Sequence, residues 1–99
     1  MNPLFIAAKS GLDSVVAHLI LSGSQINQIE FETGQTALMK AAYSGHVSTV
    51  DLLLRNGADI GIPAKRNENI VMGVVLLGFG SILDLILAKA GSLNGDGNS

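Results

Sequence analysis

The sequence predicts an all-α solenoid of three stacked helix-turn-helix repeats joined by hairpin-like connecting fingers. Three observations carry that prediction. Sliding the 99-residue chain against itself by 34 pairs Leu4, Ala7, Ala8, Ser10 and Gly11 with Leu38, Ala41, Ala42, Ser44 and Gly45. The same offset pairs Ser14, Val16, Leu19, Gly23 and Ile26 with Ser48, Val50, Leu53, Gly57 and Ile60. A further offset of 33 carries Met39, Gly45, Ser48, Asp51, Leu52 and Leu54 onto Met72, Gly78, Ser81, Asp84, Leu85 and Leu87. A period of this length marks a solenoid, in which no unit buries its apolar face alone and stacking makes the core.

Each copy reads as two short helices. Asn2 and Pro3 start the first, because asparagine caps a helix and proline suits its first turn. In the second copy Thr36 is the N-cap, Leu38, Ala41 and Ala42 follow at helical spacing, and Gly45 takes the left-handed conformation that ends a helix. A second helix runs from about Val47 to Asn56 with Val47, Val50, Leu53 and Leu54 as its apolar stripe, and Gly57 stops it. In the third copy Asn69 is the cap, and Ile70 to Leu77 and Ile82 to Ala88 are two helices folded back at Gly78, Phe79 and Gly80. The connections "NQIEFETGQ" and "GIPAKRNEN" carry Gly, Pro and Asn turn signals and read as protruding fingers. Together these give one domain over residues 1–93, with repeats at about 1–30, 31–63 and 64–93, and a flexible tail at 94–99.

Composition narrows the function. Apolar residues make up 47% of the chain and aromatics 4%, so the core is built from many small aliphatic contacts. A net charge of −2 gives little long-range attraction to phosphate backbones or anionic lipid, which argues against a nucleic-acid partner. The absence of cysteine excludes disulfides and thiolate metal sites. The N-terminus lacks the pattern of a signal peptide, which makes a cytoplasmic, intracellular location the expectation. The apolar run from Ile70 to Leu87 is not a membrane span: its uncharged window, Asn69 to Leu83, is 15 residues, against the roughly 20 that a helix needs to cross the hydrocarbon.

The stretch "TALMKAAYSGHVSTVDLLLRNGADI", Thr36 to Ile60, resembles an ankyrin repeat. Thr36, Leu38, Ala41, Ala42, Gly45, His46, Val50, Leu53, Leu54, Gly57, Ala58 and Asp59 stand in register with that family's pattern. "NPLFIAAKSGLDSVVAHLILSGSQIN" is a good first repeat, with Pro3, Leu4, Ala7, Ala8, Gly11, Val16, Leu19 and Gly23 in place. The third copy departs: Val74 and Val75 replace the alanine pair, Phe79 replaces the histidine, and Ala90 with Gly91 replaces Gly-Ala. Phe31 and Ala64 stand where the family usually has aspartate, and one extra residue near Glu30 makes the first finger irregular.

No catalytic constellation is present in the sequence, and neither a cofactor nor a metal is expected. His46 occupies the family's Gly-His position, where a structural hydrogen bond is the expected role, and His18 has no neighbouring nucleophile. The resemblance implies a non-catalytic protein-binding module, with partners held by the fingers and by the groove-facing ends of the first helices. Carried over by position, the groove residues are Lys9, Ser10, Tyr43, Ser44, Leu76 and Leu77. The first finger offers Glu30, Glu32, Thr33 and Gln35, and the second offers Lys65, Arg66 and Glu68. The partner is another protein, with no nucleic acid and no membrane insertion. The apolar third repeat leaves open a homodimer, or a unit of a longer scaffold array.

Overall fold

Three of the helix starts share one device. Asn2 Oδ1 accepts the Leu4 N–H at 2.8 Å, Thr36 Oγ1 accepts the Met39 N–H at 3.3 Å, and Asn69 Oδ1 accepts the Met72 N–H at 2.9 Å. These residues are the same repeat position, and each cap stabilises its helix by about 1 kcal/mol. The computed structural model describes residues 2–62 and 69–94. The helices that follow the caps are α1 (Pro3–Ser10), α3 (Ala37–Tyr43) and α5 (Ile70–Leu77).

Each capped helix folds back on a second one: α2 (Asp13–Leu21), α4 (Val47–Arg55) and α6 (Gly80–Asn94). These second helices have no side-chain cap at Leu12 or His46. Their first carbonyls are those of Leu12, His46 and Phe79, which accept from Val16, Val50 and Leu83 at 2.9, 3.0 and 3.0 Å. That bonding explains the displaced start of α6. Phe79, not a later residue, closes the first turn of α6, so the helix starts at Gly80 instead of Ile82; at its other end it runs to Asn94 instead of ending at Ala88. Residues 95–99 of the expected tail lie outside the described residues.

The helices stack in two layers, α1–α3–α5 and α2–α4–α6, and each layer packs neighbour on neighbour. Leu4, Ala7 and Ala8 of the first repeat and Leu38, Ala41 and Ala42 of the second are buried, and Val16, Val50, Leu53, Ile82 and Ile86 fill the space between layers. The alanines matter for spacing, because a side chain no larger than a methyl lets consecutive helices pack closely. Val75 takes the place of Ala8 and Ala42 but is 55% exposed, since no further inner helix covers it among the described residues. The apolar stretch from residue 70 to 87 is thus two helices whose Ile70, Val74, Ile82 and Ile86 close the end of the core. Among the described residues there is no strand, and no helix is long and apolar enough to cross a membrane.

The first finger is closed at its tip by the Glu30 N–H donating to the Gln35 carbonyl and the Gly34 N–H donating to the Glu30 carbonyl, both at 2.8 Å. Asn27 ties the loop after α2 to the loop after α4: its Oδ1 accepts the Asp59 N–H at 2.8 Å and its Nδ2 donates to the Gly57 carbonyl at 3.2 Å.

Candidate protein-binding surface

The inner helices and the first finger enclose two neighbouring hollows, and these collect most of the residues expected from the sequence. One, of about 430 Å³, is lined by Phe5, Ile6, Lys9 and Ser10 of α1, Glu30 and Thr33 of the finger, and Lys40 of α3. The other, of about 440 Å³, is lined by Gln35 of the finger, Tyr43 of α3, and Met72, Gly73, Leu76 and Leu77 of α5. Glu32 lies elsewhere, in a third hollow with Asn2, Phe5 and Gln28. Ser44 is exposed at the end of α3 and lines neither of the first two. Lys65, Arg66 and Glu68 of the second finger lie outside the described residues.

The partition between the hollows is a polar cluster whose centre, Lys40, the sequence did not single out. Its ammonium donates to Glu30 Oε1 at 2.8 Å and to Gln35 Oε1 at 3.4 Å, and stands 5.6 Å from the centre of the Phe5 ring. Thr33 Oγ1 donates to the same Glu30 oxygen at 2.7 Å and accepts the Gln35 N–H at 3.1 Å. Both ionic side chains are largely covered, at 10% exposure for Lys40 and 15% for Glu30. The hydrogen bond from Lys40, with a smaller one from Thr33, holds the Glu30 carboxyl below its usual range. The cluster fixes the finger to α3 and sets the width of the hollows on either side. The acidic finger signalled it only in part, since nothing in the local pattern says which lysine folds back on which glutamate.

Tyr43 shapes the second hollow by lying on the backbone of α5. A Cβ on Gly73 would fall 2.7 Å from Tyr43 Cζ and still closer to Cε1. Glycine at that place lets the ring span α3 and α5. The rim is apolar and open: Leu76 is 81% exposed, and Met72 and Leu77 are about half exposed. The expectation that Leu76 and Leu77 leave an uncovered apolar patch holds in this geometry.

Neither histidine lines the two hollows. His46 Nε2 is 2.8 Å from the Lys9 carbonyl oxygen, an inter-repeat contact of the expected structural kind. His18 is exposed on α2, away from both hollows. Among the described residues no group of His, Asp or Glu is arranged to hold a metal ion.

Comparison with known proteins agrees with this fold. The family model described as ankyrin repeats, three copies, matches residues 1–64. The chain belongs to the ankyrin repeat family. Ankyrin repeats are in general protein–protein interaction modules, typically without enzymatic activity. The chain is 36% identical over 76 residues to rat "Ankyrin repeat and SAM domain-containing protein 6", which covers 77% of this chain and 9% of the relative. It is likewise 36% identical over 73 residues to a "Putative ankyrin repeat-containing protein" of Treponema pallidum, covering 74% of this chain and 24% of that protein. The chain therefore spans no more than about a quarter of these relatives. Among solved structures, the human ASB11 ankyrin repeat domain superimposes with a TM-score of 0.82 at 24% identity, over 90% of this chain and 40% of that one. That likeness is one of fold. It extends past residue 64, where the family model stops, into the degenerate third repeat.

Proposed function

We propose that this ankyrin module binds a protein partner along its inner helices, with Lys9, Ser10, Tyr43, Ser44, Leu76 and Leu77 on the floor and Glu32, Thr33 and Gln35 on the overhanging finger. Lys65 and Arg66 of the second finger complete the proposed surface, and the role is non-catalytic, intracellular and of scaffold or adaptor type. The observation that supports it best is the pair of hollows divided by the Lys40–Glu30 cluster. A finger fixed before the partner arrives loses little ordering entropy on binding. Tyr43 is a rigid half-buried ring at the centre of the row, the type of residue that anchors interfaces.

The test is selection of binding peptides from a random display library on the purified chain. Selected peptides should lose at least about tenfold in affinity on Tyr43→Ala, equivalent to about 1.4 kcal/mol, while the helical circular dichroism is retained. Peptides indifferent to Tyr43 would place the binding surface elsewhere.

A second reading is self-association through the third repeat, favoured by the exposure of Val75, Leu76 and Leu87 at 55%, 81% and 51%. Uncovered apolar area of this kind marks interaction surfaces. Light scattering after size exclusion at two concentrations distinguishes the readings. A dimer that dissociates on dilution and is abolished by Leu76→Ser with Val75→Ser supports the second, and a monomer at both concentrations removes it.

A further inference from the structure

The floor of the surface is a graded row. Lys9, Tyr43 and Leu76 are the same repeat position, related by offsets of 34 and 33, so α1, α3 and α5 present a cation, an aromatic ring and an aliphatic side chain in succession. At the α1 end, Lys40 is paired directly with Glu30, whereas Lys9 acts on that carboxylate only at longer range and is in neither ion pair among the described residues, Lys40–Glu30 and Arg55–Asp51. The first hollow therefore holds two ammonium groups and one carboxylate, an excess of one positive charge. Glu32 does not offset it within that hollow, because it lines the one beyond Phe5. At the α5 end the exposed side chains are Met72, Leu76 and Leu77, and among the described residues no charged one is on the lining.

We infer that the row selects an extended peptide segment carrying an acidic residue for Lys9 and a large apolar residue for the Tyr43–Leu76 hollow. Packed helices stand about 8–10 Å apart, so two steps from α1 to α5 span roughly 16–20 Å. An extended chain rises about 3.3 Å per residue, which places the acidic and apolar residues about five or six positions apart. Charge at one end and apolar surface at the other also favour one direction for the segment, since the reversed peptide sets a carboxylate against Leu76. This inference rests on the protein-binding reading and adds the chemistry and spacing of the partner.

The same random peptide library tests it, selected in parallel on the unaltered chain, Lys9→Glu, Lys9→Ala and Leu76→Ser. Lys9 and Leu76 are exposed, so the variants should keep the fold, which circular dichroism checks. The expected result is enrichment of Asp or Glu five or six positions from Leu, Ile, Phe or Met. On Lys9→Glu the acidic preference should reverse to Lys or Arg, on Lys9→Ala it should vanish, and Leu76→Ser should weaken the selected peptides at least about tenfold. Tyr43-dependent peptides without an acidic preference, or with one that Lys9→Glu leaves unchanged, would overturn this inference and leave the protein-binding reading standing. Failure to select any Tyr43-dependent peptide would overturn both.

Discussion

The ring of His46 occupies the space that a Cβ on Gly11 would take, with its Nδ1 2.7 Å from that position, while its Nε2 meets the Lys9 carbonyl oxygen at 2.8 Å. One repeat later Phe79 lies over Gly45 in the same way, with Cζ 3.2 Å from the corresponding point. The interlock between repeats is a ring placed over a left-handed glycine, at φ +69° and +79°. The first interface adds a polar bond to it and the second does not.

Gly11→Ala should therefore destabilise the fold by more than the roughly 1–2 kcal/mol of a left-handed alanine, because the methyl also displaces His46. His46→Phe should keep the ring and lose the bond to Lys9, costing about 0.5–1.5 kcal/mol, and His46→Ala should cost more than His46→Phe. Urea unfolding of the three variants checks the order, and equal costs for Phe and Ala would discount the ring.

Gly73 offers a test in which the sign is informative. Glycine to alanine inside a helix ordinarily gains about 0.8–1 kcal/mol. Here the added methyl strikes the Tyr43 ring, so Gly73→Ala should lower the melting temperature. With Tyr43→Ala already in place, the same change should raise it. A stabilising effect in both backgrounds would show that the ring does not lie on α5.

Acid should weaken the contact between the outer helices of the first two repeats. Asp13, in the first turn of α2, accepts from Ser48 Oγ at 2.5 Å and from Thr49 Oγ1 on α4. Those two bonds hold its carboxyl below the ordinary 3.8. The unfolded chain thus binds this proton more readily than the folded one, so the contribution is complete above that ordinary value and is lost as pH falls through the lower folded value. Asp13→Ala should cost about 1–2 kcal/mol at neutral pH and distinctly less in strong acid. A cost independent of pH would contradict the account.

The finger should loosen when its anchor is removed. Lys40→Met keeps the length and apolar stem of the side chain but leaves Glu30 without its cation. Amide exchange at Glu30 and Gly34 should accelerate, and the Glu30 carboxyl should move up toward its usual range, as read by side-chain NMR. The pairing follows the same acid linkage as Asp13: the folded pKa is depressed, so it is present above the unfolded value and is lost on acidification. Unchanged exchange would mean that the backbone turn alone holds the tip.

How much of this was legible in the sequence depends on the range of the interaction. The caps at Asn2, Thr36 and Asn69 and the helix pairs were readable because each signal lies within one turn of its effect. The stacking was readable because repetition turns a distant contact into a periodic one. The end of α6 was not, since Gly91 is a poor helix former and the expected helix stops at Ala88, although α6 passes through Gly91 and Ser92. Lys40 with Glu30, and Asp13 with Ser48 and Thr49, were also illegible. Each joins residues whose approach is set by the finger's path or by helix stacking, and neither recurs from repeat to repeat.

The most direct measurement of the central claim is a backbone amide NMR titration of the full chain with a Tyr43-dependent peptide. The account predicts that the largest shifts fall on Lys9, Ser10, Tyr43, Leu76 and Leu77 and on the finger from Thr33 to Gln35, with α2, α4 and α6 little changed. Shifts concentrated on α2, α4 and α6 would contradict it, and would move the binding surface to the opposite face of the stack.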